Sequence, residues 1–529
     1  MSCSHEFSTD INKTVFRYNE ASGISSLDPA FAKDLPNIWG CNQVFNGLVQ
    51  LNDQMEVTPC IAKEWDISED GLTYTFLLRN DVYFHKNECF GKELTRVVTA
   101  HDFEFSFKRL VSEHLASPGA WVFSQVDRTV NGHHFKALND SVFEIKLKQA
   151  FPPFLGILSM KYCSVVPKEA IDIYGVDFRS NPIGTGPFYF KYWKEGSKLI
   201  FLKNEKYFEF DGDLRLPHLD AVSVSFLIDK QAAFLLFVQG QLDFMSGIDA
   251  SYKDELLTED GNLSPKFKGQ ISMQTQPYLN LEYLGILVDK DKDIVKLSPL
   301  NDVKVRKAIN YAFDRKKMMR YLRNNIGEPA LSGVIPKGLR SYSGPTIGYN
   351  YDPEKARKLL IEAGYENSKP KITITTNAEY LDLCRYIQFQ LNEVGFDVSI
   401  DVNPAAALRE LKAQTKLNFF RASWIADYPD GENYLSMFYS GNFAPNGPNY
   451  THYSNPEFDK LYESALMETD PQKRIAAYKQ MDKMIMEDAV IVPMYYDQVL
   501  RFTQSNIEGL GANAVNLLNL KRVKKTDVE

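Results

Sequence analysis

"YDPEKARKLLIEAGYENSKPKITITT", residues 351–376, contains a helix, a stop and a strand in one run. Asp352 is placed to cap the helix N-terminus, and Pro353 stands at the first helical position, where its missing N–H costs nothing. Gly364 follows the last apolar turn, where a left-handed C′ residue is expected. "KITITT" then alternates β-branched residues with period two, as a strand does. The same unit returns in "YLDLCRYIQFQLNEVG" (380–395), a helix, and "DVSIDV" (397–402), a strand. Strands alternating with amphipathic helices predict an α/β fold with a mixed sheet and helices on both faces. Ligands of such sheets bind outside the strand C-terminal ends.

Outward from this unit, "NDVKVRKAINYAFDRKKMMRYL" (301–322) reads as one helix with an Asn/Asp start. Further helices are expected at 455–467 and over "PQKRIAAYKQMDKMIMEDA" (471–489), followed by the strand "VIVPMYY" (490–496). Towards the N-terminus the pattern turns β-rich. "TVFRYNEAS", "YTFLLR", "GPFYFKYW", "KLIFLKN" and "AVSVSFLI" read as strands between Gly and Pro turns. "NIWGCNQVFNGLVQL" (37–51) reads as a helix, and "KQAAFLLFVQGQLDFM" (230–245) as a helix ended by Gly240 and then a strand. "TAHDFEFSFKRLVS" carries an N-cap, Thr99, and an apolar stripe of Phe103, Phe107 and Leu110.

At 529 residues the chain exceeds one hydrophobic core, so two or three lobes are expected. Hydrophobic residues at 44% and charged residues at 24% suit a globular chain. A net charge of -8 and a pI near 5.7 argue against a nucleic-acid partner, and the basic "KRVKK" at 521–525 reads as a solvated terminus. The longest apolar run, "AAFLLFV" (232–238), is far shorter than the roughly 18 residues of a membrane span. The start, "MSCSHEFSTDINKT", has neither a charged n-region nor an apolar h-region. Alone that reads as cytoplasmic, and it reads equally as a mature domain whose leader has been removed. In the second case Cys3 stands where a lipid-anchored bacterial protein carries its acylated cysteine.

Enzyme signatures are few. There is no G-x-S-x-G elbow, no G-x-x-x-x-G-K-S/T loop, and "HEF" at His5 lacks the second His of H-E-x-x-H. The six cysteines form no C-x-x-C pair. The adjacent His133 and His134 would point to opposite faces of a strand and chelate poorly. "GTG" at 184–186 runs into "PFYF" and so opens a strand, not a phosphate-binding helix. No catalytic residue, metal site or cofactor is expected.

One stretch departs from the general pattern. "FFRASWIADYPDGENYL" (419–435) is an apolar strand that exits at a Pro/Gly turn, with Arg421 in its middle and Asp427 at its exit. An even spacing puts both charges on one face of an extended chain. A turn-forming Asp and a surface-paired Arg are the plain reading of this stretch by itself.

Longer segments in chain order resemble one family. "PCIAKEWDISEDGLTYTFLLRNDVYFH" with "TAHDFEFSFKRL", then "NPIGTGPFYFKYWKEGSKLIFLKNEKYF", "VQGQLDF", "NDVKVRKAINYAFDR", "YDPEKARKLLIEAGY", "YSNPEFDKLYESA" and "AVIVPMYY" are similar to the bacterial extracellular solute-binding proteins of family 5, the large periplasmic oligopeptide- and dipeptide-binding proteins of ABC importers. The match covers roughly 14–510. One departure is "KNECFGKELTRV" (86–97), which replaces the family's usual tight turn.

The resemblance implies a two-lobed periplasmic-binding-protein fold with an extra small α+β domain. The discontinuous N-terminal lobe would comprise 12–46, 173–276 and 499–529, the inserted domain 47–172, and the C-terminal lobe 277–498. Strands near "QPYLNLEYL" and "VPMYYDQVL" would form the hinge. It implies that Asp427 anchors a peptide α-ammonium and that Ser423, Trp424 and Ile425 offer main-chain groups to an extended ligand. Arg421 matches a position that meets a ligand carboxylate in some oligopeptide binders. Lys412, nine residues upstream, is a second cation or simply a solvated one. Tyr283, Asp34 and Leu35 match cleft-lining regions, and Trp121 matches them more loosely.

The implied partners are a short peptide and the membrane permease subunits of an ABC importer, with no nucleic acid and a monomeric protein. The implied address is periplasmic or cell-surface, with Cys3 as the lipid anchor of the native precursor. The rival readings are a non-peptide ligand on the same fold (a nickel complex, haem or an oligosaccharide) and a peptide hydrolase.

Overall fold

A computed structural model describes residues 14–129, 132–249, 251–344 and 348–526 of the protein. Cys3 and the outermost ends of the expected lobes lie outside the described residues.

Two long strands, Ile271–Ile286 and Ile491–Gln504, organise the molecule. They pair antiparallel from Ile271↔Gln504 to Pro277↔Gln498, break, and resume from Leu281↔Tyr496 to Gly285↔Ile491. The break begins at Pro277, which has no N–H to give to the ladder. Each end of this crossing pair carries a different half of one 11-stranded sheet. Phe244–Ser246 joins at residues 501–503 and leads on to Val15–Asn19, Ala221–Ser225, Lys198–Lys203 and Phe188–Lys194. At the other end Phe419–Ile425 pairs with 280–286 and leads to Lys371–Thr376 and Asp397–Val402. The strands Lys371–Thr376 and Asp397–Val402 run parallel, so a crossover is required, and the helix Leu381–Val394 supplies it. The fold is thus two α/β halves joined through two continuous strands.

A separate four-stranded antiparallel sheet, in the order Ala62–Ile67, Thr73–Leu78, Val142–Lys146, Phe135–Asn139, has its own core. The helix Ala100–Leu110 covers it, starting at a Thr99/Asp102 capping box. Its Phe103 and Phe107 rings lie 5.9 and 5.6 Å from Phe143. This is the face that the spacing of Phe103, Phe107 and Leu110 predicts.

Local expectations hold where caps are explicit. Asp352 accepts from the Lys355 N–H at 2.9 Å, and Gly364 has φ 89°. The single helix expected over 301–322 is two, Val303–Ala312 and Arg315–Arg323. Phe313 is extended between them, and Asp314 caps the second by accepting from Lys317 N–H at 3.1 Å. The helix expected over 37–51 is Leu35–Val44, followed by a short strand, Val49–Leu51. "GTG" opens the strand Phe188–Lys194, and its glycines admit a close approach: a Cβ on Gly184 would lie 2.1 Å from the Val44 carbonyl oxygen. The unusual segment 86–97 forms a short 3-10 helix, Glu88–Glu93, that turns at Gly91 with φ 66°.

Candidate functional site

Phe419–Ile425 leaves the sheet when Ala426 N–H donates to the Leu279 carbonyl at 2.9 Å. Asp427 follows, at a strand C-terminal end, ahead of the Tyr428–Gly431 turn. That turn is held from behind. Glu432 is buried and accepts short hydrogen bonds from the hydroxyls of Tyr428 and Tyr462. Glu432 N–H donates to Asp430 at 3.0 Å, and Trp424 Nε1–H donates to Asn433 at 2.8 Å. Burial pushes the Glu432 carboxyl up to about 7.

Asp427 lines a cavity of about 310 Å³ that is also lined by Asp34, Leu35, Tyr162, Tyr278 and Ile425. Among the described residues its carboxylate has no cationic partner and accepts no hydrogen bond. The carboxyl is open to cleft water and recessed between crowded walls at once. The walls decide the direction: desolvation pushes it up to about 6. Burial likewise pushes Tyr162 and Tyr278 up to about 12, so both hydroxyls stay neutral and can donate.

The strand beside Asp427 has one committed edge. Ser423, Trp424 and Ile425 are paired with Glu282, Leu281 and Asn280. On the other edge the strand meets Lys371–Thr376 only at Thr375↔Phe420. From Arg421 onward that edge has no strand partner among the described residues, so its main-chain groups are available to an extended chain.

The other expected site residues separate. Asp34 and Leu35 line the cavity, with the Asp34 carboxylate also capping Leu35–Val44 through Asn37 N–H at 3.1 Å. Ile425 lines it too, 48% exposed. Trp121, 40% exposed, stands 6.4 Å from the ring of Tyr428, next to Asp427. Tyr283 is a core residue, 3% exposed, with its hydroxyl against Met437 Sδ at 3.8 Å; it does not line the cavity. The strand register decides this, because Tyr283 lies opposite Ala422 and shares its buried face.

Arg421 is already engaged and does not line the cavity. Its guanidinium bonds to the buried carboxylate of Glu282 at 2.5 Å and stacks 3.3 Å from the Tyr380 ring. It therefore offers no free cation to the cleft. Lys412 sits 5.1 Å from the Tyr450 ring and 5.8 Å from that of Phe420. Burial, with Arg421 nearby, drives its ammonium down to about 8, so it is not a solvated surface lysine.

Lys161, Tyr162 and Tyr278 are among the cavity residues that escaped the sequence reading. Tyr278 follows the Pro277 break in the long strand, where alternation no longer predicts the face. Lys161 and Tyr162 lie in a three-residue 3-10 helix, Lys161–Cys163, too short to show a periodicity. Among the described residues no cluster of three or more His, Cys, Asp or Glu could hold a metal, and no helix is long and apolar enough to cross a membrane.

A carboxylate without an internal partner, beside an open strand edge between two sheet halves, suits capture of a solute. A family model described as bacterial extracellular solute-binding proteins, family 5 Middle, matches residues 56–446. The chain belongs to this family. Among family 5 relatives, the dipeptide-binding protein DppE of Bacillus subtilis is 25% identical, covering 99% of this chain and 94% of its own length. Heme-binding protein A of Haemophilus influenzae is 28% identical over 85% of this chain and 81% of its own. The periplasmic binding protein DppA of Helicobacter pylori, solved in complex with peptide STSA, superposes with a TM-score of 0.76 at 26% identity, covering 97% and 98% of the two chains.

Proposed function

We propose that the protein is the substrate-binding component of an ABC importer, that it captures short peptides in extended form, and that Asp427 binds the ligand's α-ammonium. The observation that carries this is the Asp427 carboxylate, which lines the cavity at the end of an open strand edge and has no internal partner among the described residues. A group so placed gains most from a cation that arrives with the ligand. Ser423, Trp424 and Ile425 would pair their open edge with the peptide main chain, a contact that reads no side chain. A haem or nickel ligand brings no ammonium and would leave this carboxylate unused.

On this reading the ligand is carried without chemistry and passed to membrane permease subunits by a monomer working outside the cytoplasmic membrane. The lobes comprise 12–46 with 173–276 and 499–529, and 277–498, with 47–172 inserted; they close about the two long strands.

Calorimetry on a four-way cycle tests it: a peptide with free or acetylated N-terminus, against wild type and Asp427→Asn. Each single change should cost about 1–3 kcal/mol, somewhat below the usual loss for a buried charge pair because the open cleft is wet. The two together should cost little more than one. Additive losses would place the amine elsewhere.

A further inference from the structure

Adjoining the cavity that holds Asp427 is a smaller polar recess of about 30 Å³, room enough for a small polar group. The two share Leu51, Ser159, Lys161 and Leu517 as common wall. The recess is ringed by amides and two lysines, and most of these groups are committed. Asn42 donates to the Leu518 carbonyl at 2.8 Å, and Asn46 accepts from the Thr185 hydroxyl at 3.0 Å. Lys521 is paired with Glu209 at 2.5 Å and donates to Gln50 at 2.8 Å. Lys161 is different. Among the described residues its ammonium has no carboxylate partner and makes no hydrogen bond. Burial drives it below its ordinary value, and the neighbouring Lys521 ammonium pushes the same way.

An ammonium without an internal partner, on the wall that the recess shares with the Asp427 cavity, is a site for an anion that arrives with the ligand. Of the two cations expected to take a ligand carboxylate, Arg421 is occupied by Glu282 and Lys412 lies against the Tyr450 and Phe420 rings. We infer that Lys161 is the anion anchor of the cleft: it takes a carboxylate of the ligand while Asp427 takes the ammonium, so the cleft selects short zwitterionic peptides. This rests on the peptide reading above and extends it from one charged end to two. The carboxylate is supplied either by the C-terminus or by an acidic side chain. The C-terminus predicts a length preference, because an extended chain advances about 3.3 Å per residue and only one length sets its two ends at the two anchors.

The test uses alanine peptides of two to five residues, as free acids and as C-terminal amides, titrated into wild type, Lys161→Met and Lys161→Gln. The expected result is an amidation loss of roughly tenfold or more in wild type at one preferred length. Lys161→Met and Lys161→Gln should weaken the free acid by a similar factor and remove most of the amidation effect. A parallel arm uses amidated peptides carrying one Glu or Gln; a Lys161-dependent preference confined to Glu assigns the site to a side-chain carboxylate instead. Amidation without cost in wild type together with no Glu preference, or either effect unchanged in both variants, overturns the inference, and the wild-type comparison can still overturn it if both variants unfold. Acetylation separates the two readings. If acetylation costs affinity and loss of the carboxylate does not, Lys161 alone is misassigned; if neither matters, the peptide reading falls with it.

Discussion

Peptide binding should weaken steeply between pH 7 and pH 5, and the slope should belong to Asp427. Desolvation holds this carboxyl at about 6 in the empty cleft. A group with that value is about 90% ionised at pH 7 and about 10% ionised at pH 5. An incoming ammonium favours the ionised form, so the bound value is lower than the free one. The sign follows: affinity is fully present above about pH 6 and is lost as pH falls below it. Because the ammonium contact is worth about 1–3 kcal/mol, the expected loss from pH 7 to pH 5 is about three- to tenfold in Kd. An aspartate at its ordinary 3.8 would lose less than a tenth of its affinity over the same range. The peptide's own α-ammonium, ordinarily at about 7.7–8.0, stays largely charged from pH 5 to pH 7. Glu432 also titrates in this region, at about 7, but it lies behind the turn, bonded to Tyr428 and Tyr462. Isothermal titration of wild type and Asp427→Asn across pH 5–7.5 distinguishes the two. A flat wild-type profile would refute the claim that the carboxyl is desolvated and unpaired. An equally steep profile in Asp427→Asn would move the titrating group to Glu432.

Two further outcomes concern the frame. Arg421→Met should cost about 3–5 kcal/mol of stability in urea unfolding, because it strands the buried Glu282 carboxylate; the double variant with Glu282→Gln should recover a large part, and strict additivity would mean the pair is not coupled. Gly184→Ala should lower the melting temperature more than Gly196→Ala, since the added methyl meets the Val44 carbonyl at 2.1 Å in the first case, while in the second it meets open space and costs only the left-handed backbone, φ 65°; a smaller effect at Gly184 would deny the close packing.

Sequence by itself determined the α/β class and many of the elements. Caps, prolines and glycines act within a few residues, so Asp352, Pro353 and Gly364 announce a helix without help from the rest of the chain. The same locality misled at 301–322, where two helical patterns abut and only the Asp314 cap separates them. Asp427 was singled out by the family resemblance, because an Asp beside a turn signal reads by itself as a turn former. Which charges remain free was not legible. Arg421 and Lys161 are both cations in apolar surroundings, and nothing local distinguishes them. Strand pairing sets Glu282 opposite Ser423, within reach of Arg421, while the close approach of two loops and a helix leaves Lys161 without an acid. Tyr283 and Tyr278 divide for the same reason: the break at Pro277 and the register beyond it decide which ring is buried and which faces the cavity. Charge compensation and facing are properties of pairs distant in sequence, and only the packed chain brings those pairs together.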